Sequence, residues 1–335
     1  MTSARPEIDP ELHSLLNGLP LGTTLDHALL PTMRQFAAAS PDTLLDGRAV
    51  TRRDLAAVHP DGTPIPLTVL SPDSDTASGA AGPGAAGAPC VFWIHGGGMV
   101  MGNRFSQLDI PLDWLDAFGA VVVTVEYRLA PEAGGATLVE DCYHGLRWVA
   151  EHAAELGVDP DRIIVAGASA GGGLAAGAVL MARDLAGPRV AAQILVCPML
   201  DHRNSTASSR QFSGIPGVWT AEMNAFGWAG VLAGLGRGAV PPYVSPALAD
   251  DLSALPPTYI DAGSAEVFRD EDAAYVHAIW AAGGEAELHI WQGGFHGFDA
   301  LFPQAHLAVA ARRTRTDWLA RILTRSAVRI ASAQA

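Results

Sequence analysis

Cysteine and charge are the two things this sequence has least of. Three cysteines, Cys90, Cys142 and Cys197, stand in 335 residues. Odd in number, widely spaced and set among apolar neighbours, they exclude a disulfide framework and read as reduced thiols buried in a core, as expected of a cytoplasmic protein. Charged residues make up only 17% of the chain against 49% hydrophobic ones, which excludes a largely disordered chain and leaves enough apolar material to cover both faces of a buried sheet. Runs of Lys or Arg are missing altogether. With a formal net charge of -14 and a pI near 5.1 the surface repels phosphate backbones and anionic lipid, so neither nucleic acid nor a membrane surface is an expected partner. No apolar run approaches the length of a membrane span, and the first residues pass through Glu7, Asp9 and Glu11 without a basic stretch leading into an apolar one, so no secretory signal is expected. There is no internal repeat.

What the chain does have is a rhythm. Its length suits one large α/β sheet carrying an extra cap. From about residue 65, short Val- and Ile-rich stretches alternate with amphipathic ones, the signature of parallel strands joined by crossover helices. Strands are expected at 66–70, 91–95, 121–126, 163–166, 193–197, 258–261 and 286–291, and helices at 139–156, 170–185, 270–282 and 303–323. Two segments break the rhythm: residues 1–45, and an insertion at 202–239 rich in Gly and aromatics (Phe212, Trp219, Phe226, Trp228). The insertion is too long for a simple connection, and both segments are assigned to a cap, leaving 46–201 and 240–335 as the main α/β domain. The Ala/Gly/Ser/Pro tract at 71–88 reads as a flexible loop between strands.

The chemistry is concentrated in short turns. Gly167-Ala168-Ser169-Ala170-Gly171 fits G-x-S-x-G and lies between an expected strand and an expected helix. A serine on so sharp a turn must adopt a strained backbone, and glycines two residues to either side let neighbouring chain pass close by. His95-Gly96-Gly97-Gly98 ends another expected strand. Its unhindered N–H groups at Gly97 and Gly98, with that of Ala170, suit an oxyanion hole. The plainer reading is a glycine-rich turn or phosphate cradle, but neither G-x-x-x-x-G-K-[ST] nor a dinucleotide fingerprint accompanies it. A nucleophilic serine needs a base from a loop at the same sheet edge. His296, in Gly293-Gly294-Phe295-His296-Gly297-Phe298 after the last strand, is placed for that role, whereas His289 falls in a strand, His306 in a helix, and His95 reads as structural. The orienting carboxylate belongs on the loop after the strand at 258–261, where Asp261, Glu266 and Asp270 compete. Asp261 sits at the strand end, Asp270 suits a helix first turn, and Glu266 lies mid-loop, favoured by position against the alternative of an ordinary solvated carboxylate.

HGGG at 95–98, YRLAPE at 127–132, GASAGG at 167–172, RDE at 269–271 and HGF at 296–298 together resemble the hormone-sensitive-lipase family of α/β-hydrolases, the bacterial family IV esterases, in order and spacing. The resemblance implies an α/β-hydrolase fold with a helical cap and hydrolysis of carboxylic esters through an acyl-enzyme, with no metal or organic cofactor. It also implies that Glu266 inherits the catalytic acid's role, because Glu266-Val267-Phe268 stand where the family usually has Asp-Pro-Leu; the longer arm requires the loop to sit slightly farther from His296. Two other departures, Ala168 before the serine and Ala133-Gly134-Gly135-Ala136 after YRLAPE, remove no catalytic group. The resemblance suggests dimers through a sheet edge, although nothing in the periodicity identifies a contact face.

The expected activity is therefore a serine carboxylesterase acting on small esters of short to medium acyl chains, with Met99, Met101, Phe212 and Trp219 lining the substrate site, since Met adapts to irregular ligands. The rival readings are a non-catalytic small-ligand receptor on the same fold and an amidase or carbamate hydrolase. A complete Ser169, acid and His296 set weighs against the receptor; comparison of matched esters and amides separates the others.

Overall fold

The computed structural model describes residues 4–73 and 87–333, so most of the tract expected as a flexible loop, residues 74–86, lies outside the described residues. Three short helices come first: α1 (Pro10–Leu16), α2 (Leu30–Ala37) and α3 (Pro41–Leu45). Strands β1 (Val50–Val58), β2 (Pro64–Pro72) and β3 (Ala88–Ile94) follow, then helix α4 (Asp109–Phe118) and strand β4 (Val121–Val125). Next are α5 (Thr137–Glu151), α6 (Ala153–Leu156), β5 (Val158–Ala168), α7 (Ala170–Asp184) and β6 (Ala192–Val196). Helices α8 (Ala207–Gln211) and α9 (Ala221–Leu232) intervene before β7 (Thr258–Ala265), α10 (Arg269–Ala281), β8 (Ala286–Phe295), α11 (Phe298–Leu301) and α12 (His306–Ala333).

The strands make one eight-stranded sheet in the order β1-β2-β4-β3-β5-β6-β7-β8. From β4 to β8 every pairing is parallel, as the alternating pattern predicts, but β2 runs antiparallel to both β1 and β4. Strand β1 and helix α4 are absent from the expected elements, and each hides for a local reason. In β1 the polar run Arg52, Arg53, Asp54 interrupts the apolar pattern on an exposed edge strand. In α4 a proline, Pro111, falls in the first turn of a helix only ten residues long, and Gly119 in the left-handed conformation ends it.

Alternation along the central strands divides the core into two layers. Phe92, Val165, Leu195 and Ile260 pack on one side with Leu146, Leu174 and Ile279, covered by α5, α7 and α10. Val91, Trp93, Ile164, Ile194 and Tyr259 pack on the other with Trp114 and Leu319, covered by α4 and α12. This buried sheet is what fixes the ends of β3, β5, β7 and β8 relative to one another. The two segments outside the rhythm meet: Gly22 and Gly217 form a β-bridge, and the Thr220 hydroxyl donates to the Thr23 carbonyl at 2.6 Å. Thr220 and Thr206 also accept from the N–H groups of Met223 and Ser209, starting α9 and α8 as N-cap residues do.

Candidate active site

Four turns at the carboxyl ends of parallel strands converge, where open α/β sheets gather ligands. Ser169 links β5 to α7 with φ 56° and ψ -121°, a conformation that costs an ordinary L-residue roughly 1–3 kcal/mol and survives because its surroundings enforce it. Those surroundings are glycine: a Cβ on Gly171 would come within 2.1 Å of the Ile94 carbonyl oxygen, so β3 can approach the elbow only if that position carries no side chain. The Ser169 N–H donates to the Val196 carbonyl at 2.7 Å and its own carbonyl accepts from Met199 at 2.9 Å, fastening the turn to the end of β6.

His296 lies just beyond β8, with Nε2 2.9 Å from Ser169 Oγ and Nδ1 2.5 Å from Glu266 Oε2. A carboxylate only accepts, so Nδ1 carries the imidazole proton and Nε2 is left as the acceptor for the serine hydroxyl. Glu266 is buried, and its second oxygen accepts the Gly263 N–H at 2.9 Å, which orients the carboxylate toward the ring. Phe268 meets the imidazole edge-on with ring centroids 5.1 Å apart.

The other two competing acids are engaged elsewhere. Asp270 accepts from the Ser208 N–H at 2.7 Å and from Arg269. Asp261 is buried on the opposite face of the sheet, accepting from Arg315 Nε at 2.8 Å and Trp291 Nε1 at 3.0 Å; Arg315 in turn donates to Asp299 at 2.6 Å. Burial pushes the Asp261 carboxyl up against the pull of Arg315, whereas at Asp299 burial is outweighed by Arg315 and the carboxyl is held low. Sequence reasoning misses this trio. A signal was present: Ala308, Ala311, Arg315, Trp318 and Ile322 recur at helical spacing on the buried face of α12, and an arginine in that series calls for a buried partner.

Near the elbow, the turn 95–101 is locked from several sides. The Gly96 N–H donates to Gln107 Oε1 at 2.8 Å, Tyr127 Oη donates to the His95 carbonyl at 2.9 Å, and Arg34 Nε donates to the Val100 carbonyl at 2.8 Å. Gln107 and Arg34 belong to no motif, and no local pattern singles them out. His95 is wholly buried, stacked on Tyr127, and burial lowers its pKa to about 4 despite a bond to the Gly96 carbonyl, so it is neutral. Among the described residues, neither the Gly97 nor the Gly98 N–H donates to a protein acceptor. With Ala170 opening α7, the arrangement offers free donors and a helix N-terminus beside Ser169.

A family model for the alpha/beta hydrolase fold matches residues 91–300, spanning all four turns. The chain belongs to this family. It is the hormone-sensitive-lipase family that the motifs resemble. Within this α/β-hydrolase family the chain is similar to carboxylesterase NlhH of Mycobacterium tuberculosis, 34% identical over 302 residues that cover 89% of this chain and 90% of NlhH. It is also similar to esterase LipI of the same organism, 32% identical over 88% of each chain. Among solved structures, a bacterial heroin esterase superposes with a TM-score of 0.83 at 35% identity, covering 94% of this chain and 98% of the other.

Beside His296 opens a cavity of about 640 Å³. Phe212 and Trp219 line it, together with Ile215, Val218 and Phe295, while Arg5, Glu7 and His13 of the N-terminal segment stand in its wall. Met99 and Met101 do not. Both are buried in the main core, because the turn folds back on itself, with the Gly97 carbonyl accepting from the Val100 and Met101 N–H groups, and sends these side chains inward. The three cysteines are buried thiols, and no helix among the described residues is long and apolar enough to cross a membrane.

Proposed function

We propose that the protein is a serine carboxylesterase that cleaves small carboxylic esters through an acyl-enzyme. The observation that carries this reading is the continuous chain of contacts from Ser169 Oγ through His296 to Glu266, 2.9 Å and 2.5 Å long, at a strained elbow next to unengaged N–H groups. Ser169 Oγ bonds to the ester carbonyl carbon as its proton passes to His296 Nε2; Glu266 stabilises the imidazolium through Nδ1. The carbonyl oxygen takes up charge facing the Gly97, Gly98 and Ala170 N–H groups. The carbon–oxygen bond to the alcohol then breaks, the alcohol leaves with the proton from Nε2, and water repeats the sequence to release the acid and restore Ser169. Membership of the family and the esterase names of its relatives support the ester as substrate. Phe212 and Trp219 are the side chains we assign to substrate contact, with short to medium acyl chains accepted.

The test is hydrolysis of p-nitrophenyl esters from acetate to palmitate together with labelling by a fluorophosphonate. The wild type turns over the shorter esters and is labelled at Ser169, and Ser169→Ala loses about 10⁵-fold or more in kcat and takes no label. Turnover by Ser169→Ala at the wild-type rate refutes the nucleophile, and a wild type that binds ester without turnover or label is a receptor.

A further inference from the structure

Trp219 touches both the cavity beside His296, which it helps to line, and Gly98 of the HGGG turn. Trp219 lies with the six-membered edge of its indole against Gly98: a Cβ on Gly98 would fall 2.1 Å from the ring, closer than any real contact. The indole is almost fully buried, tilted against His296 with centroids 6.4 Å apart, and its Nε1 points toward Asn224 Oδ1 at 3.4 Å. The segment that carries it is tied to the N-terminal segment by the Gly22–Gly217 bridge and by the Thr220 hydroxyl bond to the Thr23 carbonyl. Met99, Val100 and Met101, which follow Gly98 in the turn, are buried in the core. The large cavity is lined by His296 and Trp219 but by none of Gly97, Gly98, Met99, Met101 or Ala170.

The two halves of an ester leave Ser169 Oγ in different directions. The alcohol oxygen must face His296 Nε2, which returns the proton to it, so the alcohol part occupies space on the His296 side. The carbonyl oxygen faces the Gly97 and Gly98 N–H groups, so an acyl chain lying along that turn meets the Trp219 ring that stands against Gly98. Resting on the serine-esterase reading above and narrowing its acyl range to the short end, we propose that Trp219 is a specificity-determining plug: it restricts the acyl group to two to four carbons, while the cavity walled by Phe212, Ile215, Val218 and Phe295 takes a bulky, apolar alcohol. The substrate class is thereby esters of short acids with large cyclic or aromatic alcohols. The aromatic and branched walls exclude water from such an alcohol, and the polar residues Arg5, Glu7 and His13 place any hydrophilic substituent at a distance from the reacting bond.

The experiment compares kcat/KM along two series, p-nitrophenyl acetate to octanoate for the acyl side, and acetates of ethanol, benzyl alcohol and 2-naphthol for the alcohol side. In the wild type, kcat/KM falls at least about tenfold from butyrate to octanoate and is not diminished by the larger alcohols, since a single misfitting methylene already discriminates by about tenfold or more. Trp219→Ala raises the octanoate-to-acetate ratio about tenfold, with Trp219→Phe in between. Val218→Trp, which fills the cavity, lowers the naphthyl-to-ethyl acetate ratio instead. Ratios within one variant cancel any general loss of folded enzyme, and Trp219→Phe keeps the reading available if the alanine variant is inactive. An unchanged acyl ratio in the Trp219 variants, or a wild type that prefers octanoate, overturns the plug. Failure of every ester together with no fluorophosphonate label at Ser169 overturns the serine-esterase reading itself, so the two failures are told apart.

Discussion

Two buried carboxylates five residues apart, Asp261 and Glu266, leave the same strand end and do opposite things. Asp261 is still in β7 and shares its face with Tyr259, which packs in the layer under α12, so its carboxylate meets Arg315 and becomes part of a closed ion trio. Glu266 lies past the register shift between Gly263 and Ala265, where the chain has left the sheet; its carboxylate turns back to the Gly263 N–H and meets His296. Both acids are almost wholly shielded from water. The first faces a permanent cation that never changes its charge, and the second faces an imidazole that gains and loses a proton in the proposed mechanism. Burial of a carboxylate therefore says little about catalysis; the partner decides.

Three measurements break or sharpen that contrast. The largest effect is expected for Glu266→Gln, which keeps the shape but offers Nδ1–H no charged acceptor: kcat for a p-nitrophenyl ester falls about 10⁴-fold, by analogy with loss of the orienting acid in a serine triad, while the thermal midpoint moves little. Asp261→Asn is the mirror image. It leaves Arg315 with Asp299 alone, so unfolding in urea shows a loss of about 3 kcal/mol or more, with kcat of the folded fraction kept within about tenfold. Equal collapse of kcat in both variants would erase the distinction drawn between the two acids.

A third, smaller effect comes from His95, the buried first residue of the HGGG turn. Its folded pKa is lowered from 6.5 to about 4, first by burial and against a raising contribution from the Gly96 carbonyl. The unfolded chain therefore takes up a proton at pH values where the folded chain does not, so the contribution to stability is whole above 6.5 and declines as pH falls toward 4. The decline amounts to about 3 kcal/mol at most. His95→Asn, whose amide can still donate to the Gly96 carbonyl, should flatten this part of the pH dependence of unfolding; an unaltered slope would assign it to other groups.

Much of this architecture is legible without coordinates. The parallel strands and the helices that cross between them follow from the change between strand and helix periodicity, and the elbow and the HGGG turn follow from glycines clustered at strand ends. Local patterns fail where the deciding neighbour is remote. Strand β1 is charged along an exposed edge and is recognisable only from its pairing with β2; Gln107 and Arg34 act on a turn through bonds that skip 11 and 66 residues. Met99 and Met101 carry the apolar, adaptable chemistry of a substrate wall, but the fold-back of their turn sends them into the core.

The sequence by itself determined the fold family and the kinds of groups that meet: a serine on a strand-to-helix turn, a histidine after the last strand, and a choice among acids, because these depend on residue type and on periodicity along the chain. Only the tertiary structure decided which acid faces the histidine, which face of the sheet receives Arg315, and that Trp219 rather than the methionines lines the cavity beside His296. Each of those outcomes depends on the direction of a side chain relative to an element far away in sequence, and that direction is set by how the packed layers close around the sheet, not by any local pattern.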